Sequence, residues 1–225
     1  MGFTHNPMMH GPLQFEINAA IFLLFGDNDY TARVLYAVVG TVLVAIPYAF
    51  RARLGKLGAI LVSLLLAFSP AMLYFSRFAR NDIYMALWTA ILLVLIWNYL
   101  NDKKDRYLYA ISAVFALVYA TKETSYFVTL IFGGFLFLLA VPDLILRIRG
   151  KIRFREMGQA ASVLLLMVTL LLPQWSALSS IGQETLGIVL ANKNEQLGLV
   201  GMPAGDGLFW SIGIVAASLV LSIWI

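Results

Sequence analysis

The chain has 225 residues, 61% of them hydrophobic and 12% charged, with a formal net charge of +4. Soluble domains carry about 25% charged residues, so a water-exposed globule is excluded; an outer-membrane barrel, which would read as ~10-residue alternating segments, is excluded too. The positive charge sits in short loops between apolar runs rather than on one face, which argues against nucleic acid as a partner, and the lack of cysteine rules out disulfides and thiolate metal sites.

The apolar runs are about 17–21 residues long, enough to cross a ~30 Å hydrocarbon core as helix. They define an all-α, polytopic membrane helix bundle of about seven transmembrane helices, taken as a single transmembrane domain over residues 1–225. Residues 1–29 form an N-terminal outer loop and interfacial helix, and 30–225 form the bundle. In chain order, residues 1–12 are irregular, with His5, Pro7, His10, Gly11 and Pro12. Leu13–Phe25 is apolar but too short to span, and it carries Glu16 and Asn18, so it reads as a helix lying in the interface. Gly26–Asp29 is a turn and a helix cap. The spans are expected at Tyr30–Phe50, Leu57–Phe75, Ile83–Leu100, Tyr107–Thr121, Ser125–Pro142, Met157–Pro173 and Leu208–Ile225. Pro70 is expected to kink the second of them.

Basic residues set the orientation. Arg51, Arg53 and Lys56 follow the first span; Lys103, Lys104 and Arg106 follow the third; Arg147, Arg149, Lys151, Arg153 and Arg155 follow the fifth. These alternate loops hold 11 of the 16 Lys and Arg residues, and the positive-inside rule makes them cytoplasmic. Residues 1–29, 76–82, 122–124 and 174–207 then face the extracytoplasmic side of the cell membrane. The chain starts in a loop that reads as a continuation and stops at Trp224-Ile225 inside an apolar run. It is therefore expected to be a piece of a longer protein, truncated at both ends.

Sorting by side collects His5, His10, Glu16, Arg77, Arg80, Asp82, Lys122 and Glu123 on one face. Each has a plain structural explanation. Arginines at a helix end snorkel to headgroups, Asn81 and Asp82 suit a helix N-terminus, and Lys122-Glu123 suits a solvated turn. Together they suggest a site. Arg77 and Arg80, three apart, would share a helical face and offer donor forks suited to phosphate. Lys122 adds a point charge from another helix end. A carboxylate among three cations can help hold a phosphorylated substrate and handle a hydroxyl. Asp82, His10 and Glu16 could also ligate a divalent metal, but no ligand spacing supports one, and no cofactor is expected.

Four segments carry a family resemblance: His5–Leu13 (HNPMMHGPL), Asp29–Arg33 (DYTAR), Ser69–Asp82 (SPAMLYFSRFARND) and Ala120–Glu123 (ATKE). They resemble the GT-C class of polyprenyl-phosphate-sugar glycosyltransferases, the protein O-mannosyltransferase and aminoarabinose-transferase-like group, and look closest to a flippase-associated archaeal and bacterial branch. The likeness covers roughly residues 4–140. It implies transfer of a sugar from a polyprenyl-phosphate donor to a lipid, glycan or protein hydroxyl on the extracytoplasmic face. Asp82 and His10 would be catalytic and line the sugar and acceptor pocket. Arg77, Arg80 and Lys122 would hold the carrier phosphate, with Glu123, Gly11, Pro12 and Glu16 beside the substrate. The family's acidic residue in the first outer loop would precede this chain, so the piece is expected to be inactive alone. The rival readings are a transporter or lipid flippase, and a non-catalytic component of a cell-envelope glycan assembly.

Overall fold

A computed structural model describes residues 11–151 and 156–171, together with the isolated positions 216 and 220. Within these residues the chain forms eight α-helices: α1 (Leu13–Phe25), α2 (Thr31–Ala49), α3 (Arg51–Phe68), α4 (Pro70–Phe75), α5 (Asp82–Asn101), α6 (Asp105–Thr121), α7 (Ser125–Ile148) and α8 (Gln159–Leu171). The architecture is the expected all-α membrane helix bundle. Three of the described helices, α2, α5 and α7, are long and apolar enough to cross a membrane. The expected last span, Leu208–Ile225, falls outside the described residues apart from positions 216 and 220, as do residues 1–10.

The chain divides into two compact units, Met1–Phe132 and Gly133–Ile225. In the first, α2 packs on α5 through Tyr36, Val39 and Leu43, spaced three and four apart on one helical stripe, against Ile83, Tyr84 and Leu87. The rings of Tyr36 and Tyr84 meet edge to face with centroids 5.3 Å apart, a favoured aromatic geometry. α5 also packs along α6; Leu92, Ile96 and Tyr99 are buried on the former, and Ile111, Phe115 and Val118 on the latter. α1 has the expected bounds and no buried residue. Its apolar side chains, Leu23, Leu24 and Phe25 above all, are exposed. In the second unit, Ala140 packs with Met157 and Ala161, and Asp143 Oδ2 accepts a hydrogen bond from the Gly158 N–H at 2.8 Å.

Two details differ from the sequence expectation. Pro70 does not kink a continuous helix but divides it: Ser69 is extended (φ −64°, ψ 122°), and Pro70 opens α4. The residue before proline is driven out of the helical region by the ring, whereas proline itself suits a first helical turn. α7 runs on through Pro142 to Ile148 rather than stopping at the proline. Inside α3, Gly55 adopts φ 72° and ψ 164°, a conformation open to glycine and costly for other residues. It sets the basic Arg51–Leu54 turn apart from the apolar helix that follows.

The first unit has two chemically distinct ends. At one, Arg53 lies 5.6 Å over the Trp97 ring and Phe50 meets the same ring at 6.5 Å, so the basic loops after α2 and α5 share that end. The opposite end holds the starts of α1, α2 and α5 and the finish of α6. There Asn28 Oδ1 accepts from the N–H groups of Tyr30 and Thr31 at 3.0 and 2.9 Å, and Thr31 Oγ1 donates to the Gly26 carbonyl at 2.7 Å. This is the expected cap on α2.

Candidate functional site

The site is built where α5 begins and α6 stops. Asp82 is the first residue of α5, and Lys122 follows α6 in an extended conformation. Lys122 Nζ lies 2.9 Å from Asp82 Oδ1, and Arg80 Nε lies 2.9 Å from Asp82 Oδ2. A single carboxylate therefore joins two cations that are 42 positions apart in the chain. The lysine is the more enclosed cation: its side chain is 18% exposed, against 54% for Arg80. Both signs suit their helices, since an anion is favoured at a helix N-terminus and a cation at a C-terminus.

A polar cavity of about 320 Å³ opens at this cluster, lined by Gln14, Ala79, Arg80, Asn81, Asp82 and Lys122. α1 supplies one wall. Gln14 Nε2 donates to the Ala79 carbonyl and to Tyr36 Oη, both at 2.9 Å, and Asn18 Nδ2 donates to the same hydroxyl at 2.8 Å. Gln14 and Asn18 lie one turn apart on one face of the helix, so a mainly apolar α1 is clamped to α2 and to the loop before α5. The arm before α1 is fixed as well: the Gly11 N–H donates to the Thr121 carbonyl at 3.2 Å. A Cβ on Gly11 would lie 2.0 Å from the Ala120 carbonyl oxygen. Only glycine lets the arm come this close to the end of α6.

The structure thus brings together Arg80, Asp82 and Lys122, with Gly11 against the neighbouring backbone. Arg77 is placed elsewhere. α4 ends at Phe75, and the Arg80 N–H bonds the Phe78 carbonyl in a turn, so Arg77 and Arg80 do not share a helical face. Arg77 instead borders a separate, mainly apolar groove of about 380 Å³ among α2, α3 and α4, lined in part by Gly40, Val44, Leu66 and Met72. Glu16 and Glu123 are exposed, Pro12 is the exposed N-cap of α1, and none of the three lines the polar cavity. His10 and His5 lie outside the described residues. Asn81 was expected to cap α5, yet its side chain makes no cap hydrogen bond. Gln14, Asn18 and Tyr36 were missed as a group. The signal available for them was the four-residue spacing of two amides on an apolar helix. Among the described residues no group of three or more His, Asp or Glu side chains is placed to hold a metal.

Long apolar helices with a polar, charged cavity where α5 begins and α6 ends mark an integral membrane protein. The family model of dolichyl-phosphate-mannose-protein mannosyltransferases matches residues 9–172, and the chain belongs to that family. It is a membrane glycosyltransferase of the general mannosyltransferase type. Comparison with curated proteins and with solved structures yields no match.

Proposed function

We propose that this protein takes a sugar from a polyprenyl-phosphate donor at the extracytoplasmic membrane surface and passes it to a hydroxyl group of a lipid, glycan or protein acceptor. The observation that carries this reading is the Arg80–Asp82–Lys122 cluster on the polar cavity. Two cations on one carboxylate leave a net positive charge. Each spends one N–H on Asp82, and a guanidinium and an ammonium have further donors to offer a phosphate.

In the transfer, the acceptor oxygen bonds to the anomeric carbon as the bond from that carbon to the phosphate oxygen breaks. The bonding pair leaves with the phosphate, and the hydroxyl proton passes to a base. The departing polyprenyl phosphate carries about one more negative charge than the diester it came from. Preformed donors aimed at that growing charge lower the barrier. Asp82 offers an oxygen to each cation, so on this reading it sets the two donors, and together with His10 it lines the sugar and acceptor pocket. A transporter would be expected to place its polar groups near the middle of the spans; here they sit at the first residue of α5 and just past the end of α6.

The test is transfer from a short-chain polyprenyl-phosphate mannose by membranes carrying the full-length protein. Arg80→Ala and Lys122→Met should each lower product formation on the order of 100-fold with insertion unchanged. Wild-type rates in both variants would remove the assignment. Movement of the lipid across the bilayer with no glycosylated product would support a transporter instead.

A further inference from the structure

Asn81 stands between Arg80 and Asp82 on the cavity wall. It is 3% exposed, and neither its Nδ2 nor its Oδ1 has a hydrogen-bond partner among the described residues. Its place in the chain makes this unusual. At an N-cap an asparagine ordinarily turns its oxygen back onto the first free N–H groups of the helix, but here the backbone is helical (φ −63°, ψ −17°) and no cap bond forms. Buried amides are almost always paired, and an unpaired one at a polar cavity calls for an explanation. Both atoms are closed to bulk solvent.

We infer that the Asn81 carboxamide is a recognition element for the sugar of the donor, bonding ring hydroxyls while Arg80 and Lys122 hold the phosphate. This rests on the phosphate assignment made above. The chemistry of the amide narrows the ligand. A phosphate only accepts, so it could pair with Nδ2 and would leave Oδ1 orphaned. A hydroxyl both donates and accepts, so one or two sugar hydroxyls satisfy both ends. The position fits as well: Asn81 lines the same cavity as Arg80 and Lys122, and a sugar joined directly to the phosphate would occupy that cavity. The amide's buried cost in the empty site becomes selectivity for a hydroxyl-bearing ligand, since a site whose polar groups stay unpaired rejects the analogue that lacks them. Ligand binding must open the wall around the amide to reach it.

The experiment compares binding of two probes, a short-chain polyprenyl-phosphate mannose and the matching polyprenyl phosphate, to full-length protein in nanodiscs. Wild type should bind the mannosylated probe more tightly. Asn81→Leu should lower that preference about tenfold or more while changing affinity for the plain phosphate less than twofold. It should also raise the melting temperature of the empty protein, because an unpaired buried amide has been replaced by an apolar group. Asn81→Ser, which keeps a donor and an acceptor on a shorter arm, should retain part of the preference. An unchanged preference in Asn81→Leu overturns the inference, as does equal weakening of both probes or a lower melting temperature, which would mark a structural residue. Arg80→Ala separates the two readings. If it fails to weaken the plain phosphate, the phosphate assignment fails, whereas a loss there with an unaltered preference in Asn81→Leu removes only the role of Asn81. Failure of wild type to bind either probe would end both.

Discussion

Gly11→Ala is a small substitution with a large expected effect. A Cβ at this position would sit 2.0 Å from the Ala120 carbonyl oxygen and 2.9 Å from the Thr121 nitrogen, below the 3.0 Å that such contacts essentially never breach. The obstructing atoms are backbone, so no side-chain rotation relieves the clash. Either the arm or the end of α6 must move by roughly 1 Å, a displacement that can cost on the order of 100-fold in rate when it reaches reacting groups. The Gly11 to Thr121 hydrogen bond would be lost with it, worth about 1 kcal/mol, on top of about 1–3 kcal/mol for overpacking. Thermal unfolding in nanodiscs should therefore show a loss of roughly 2–4 kcal/mol. Transfer assayed on the surviving folded protein should fall far more steeply than that stability loss explains, because Thr121 precedes Lys122. Gly11→Ala with wild-type stability and wild-type transfer would refute the close approach on which the site depends.

Two further substitutions separate the roles of neighbouring groups. Tyr36→Phe deletes the hydroxyl that accepts from Gln14 and Asn18; Gln14 keeps the Ala79 carbonyl, so unfolding should show a loss of about 1–3 kcal/mol, chiefly for the Asn18 amide left without its acceptor, with faster proteolysis in the turn before α2. Arg77→Ala, which removes a side chain bordering the apolar groove and not the polar cavity, should leave binding of polyprenyl phosphate within about twofold of wild type, while Arg80→Ala weakens it strongly.

The parts of this protein that could be read from its sequence are those governed by local rules. The bounds of α1 follow from a short apolar run between a proline-rich arm and a glycine turn. The two ends of the first unit follow from the alternation of basic loops. The meeting of Asp82 with Lys122 followed from the same alternation, since both fall in loops on one side. Arg77 was misplaced because the three-residue spacing argument assumes a helix, and α4 stops at Phe75. The break at Ser69 shows a related failure: a proline inside an apolar run was read as a bend, while the restriction it places on the preceding residue divides the helix. The clamp from Gln14 and Asn18 to Tyr36 was not legible. It joins residues 18 and 22 positions apart, and nothing in the pattern of either helix names its partner. Asn81 was read through its propensity for caps, and only the folded packing shows that its amide is left unpaired.

The polarity of the cluster is set by the helices as well as by its ion pairs, and a charge exchange tests this. Asp82 lies at the amide end of α5, and Lys122 at the carbonyl end of α6, so each charge is favoured by its own helix before the two meet. The double substitution Asp82→Lys with Lys122→Asp keeps an opposite pair at the same two positions. It also reverses both helix-end interactions, each worth about 0.3–1 kcal/mol, and sets a new cation beside Arg80, which loses its carboxylate partner Asp82. A pair that stabilised the fold through its mutual attraction alone would survive the exchange once Arg80 is also replaced by Ala, in the exchanged and the wild-type background alike. The helix-end argument expects the double variant to be about 1–4 kcal/mol less stable than wild type and to fail in transfer. Thermal unfolding at low ionic strength is the measurement, because salt screens helix-end charge. Recovery of wild-type stability and transfer in the exchanged protein would mean that the helices contribute nothing to the site. The start of α5 would then lose its claim as the place where a growing negative charge is favoured.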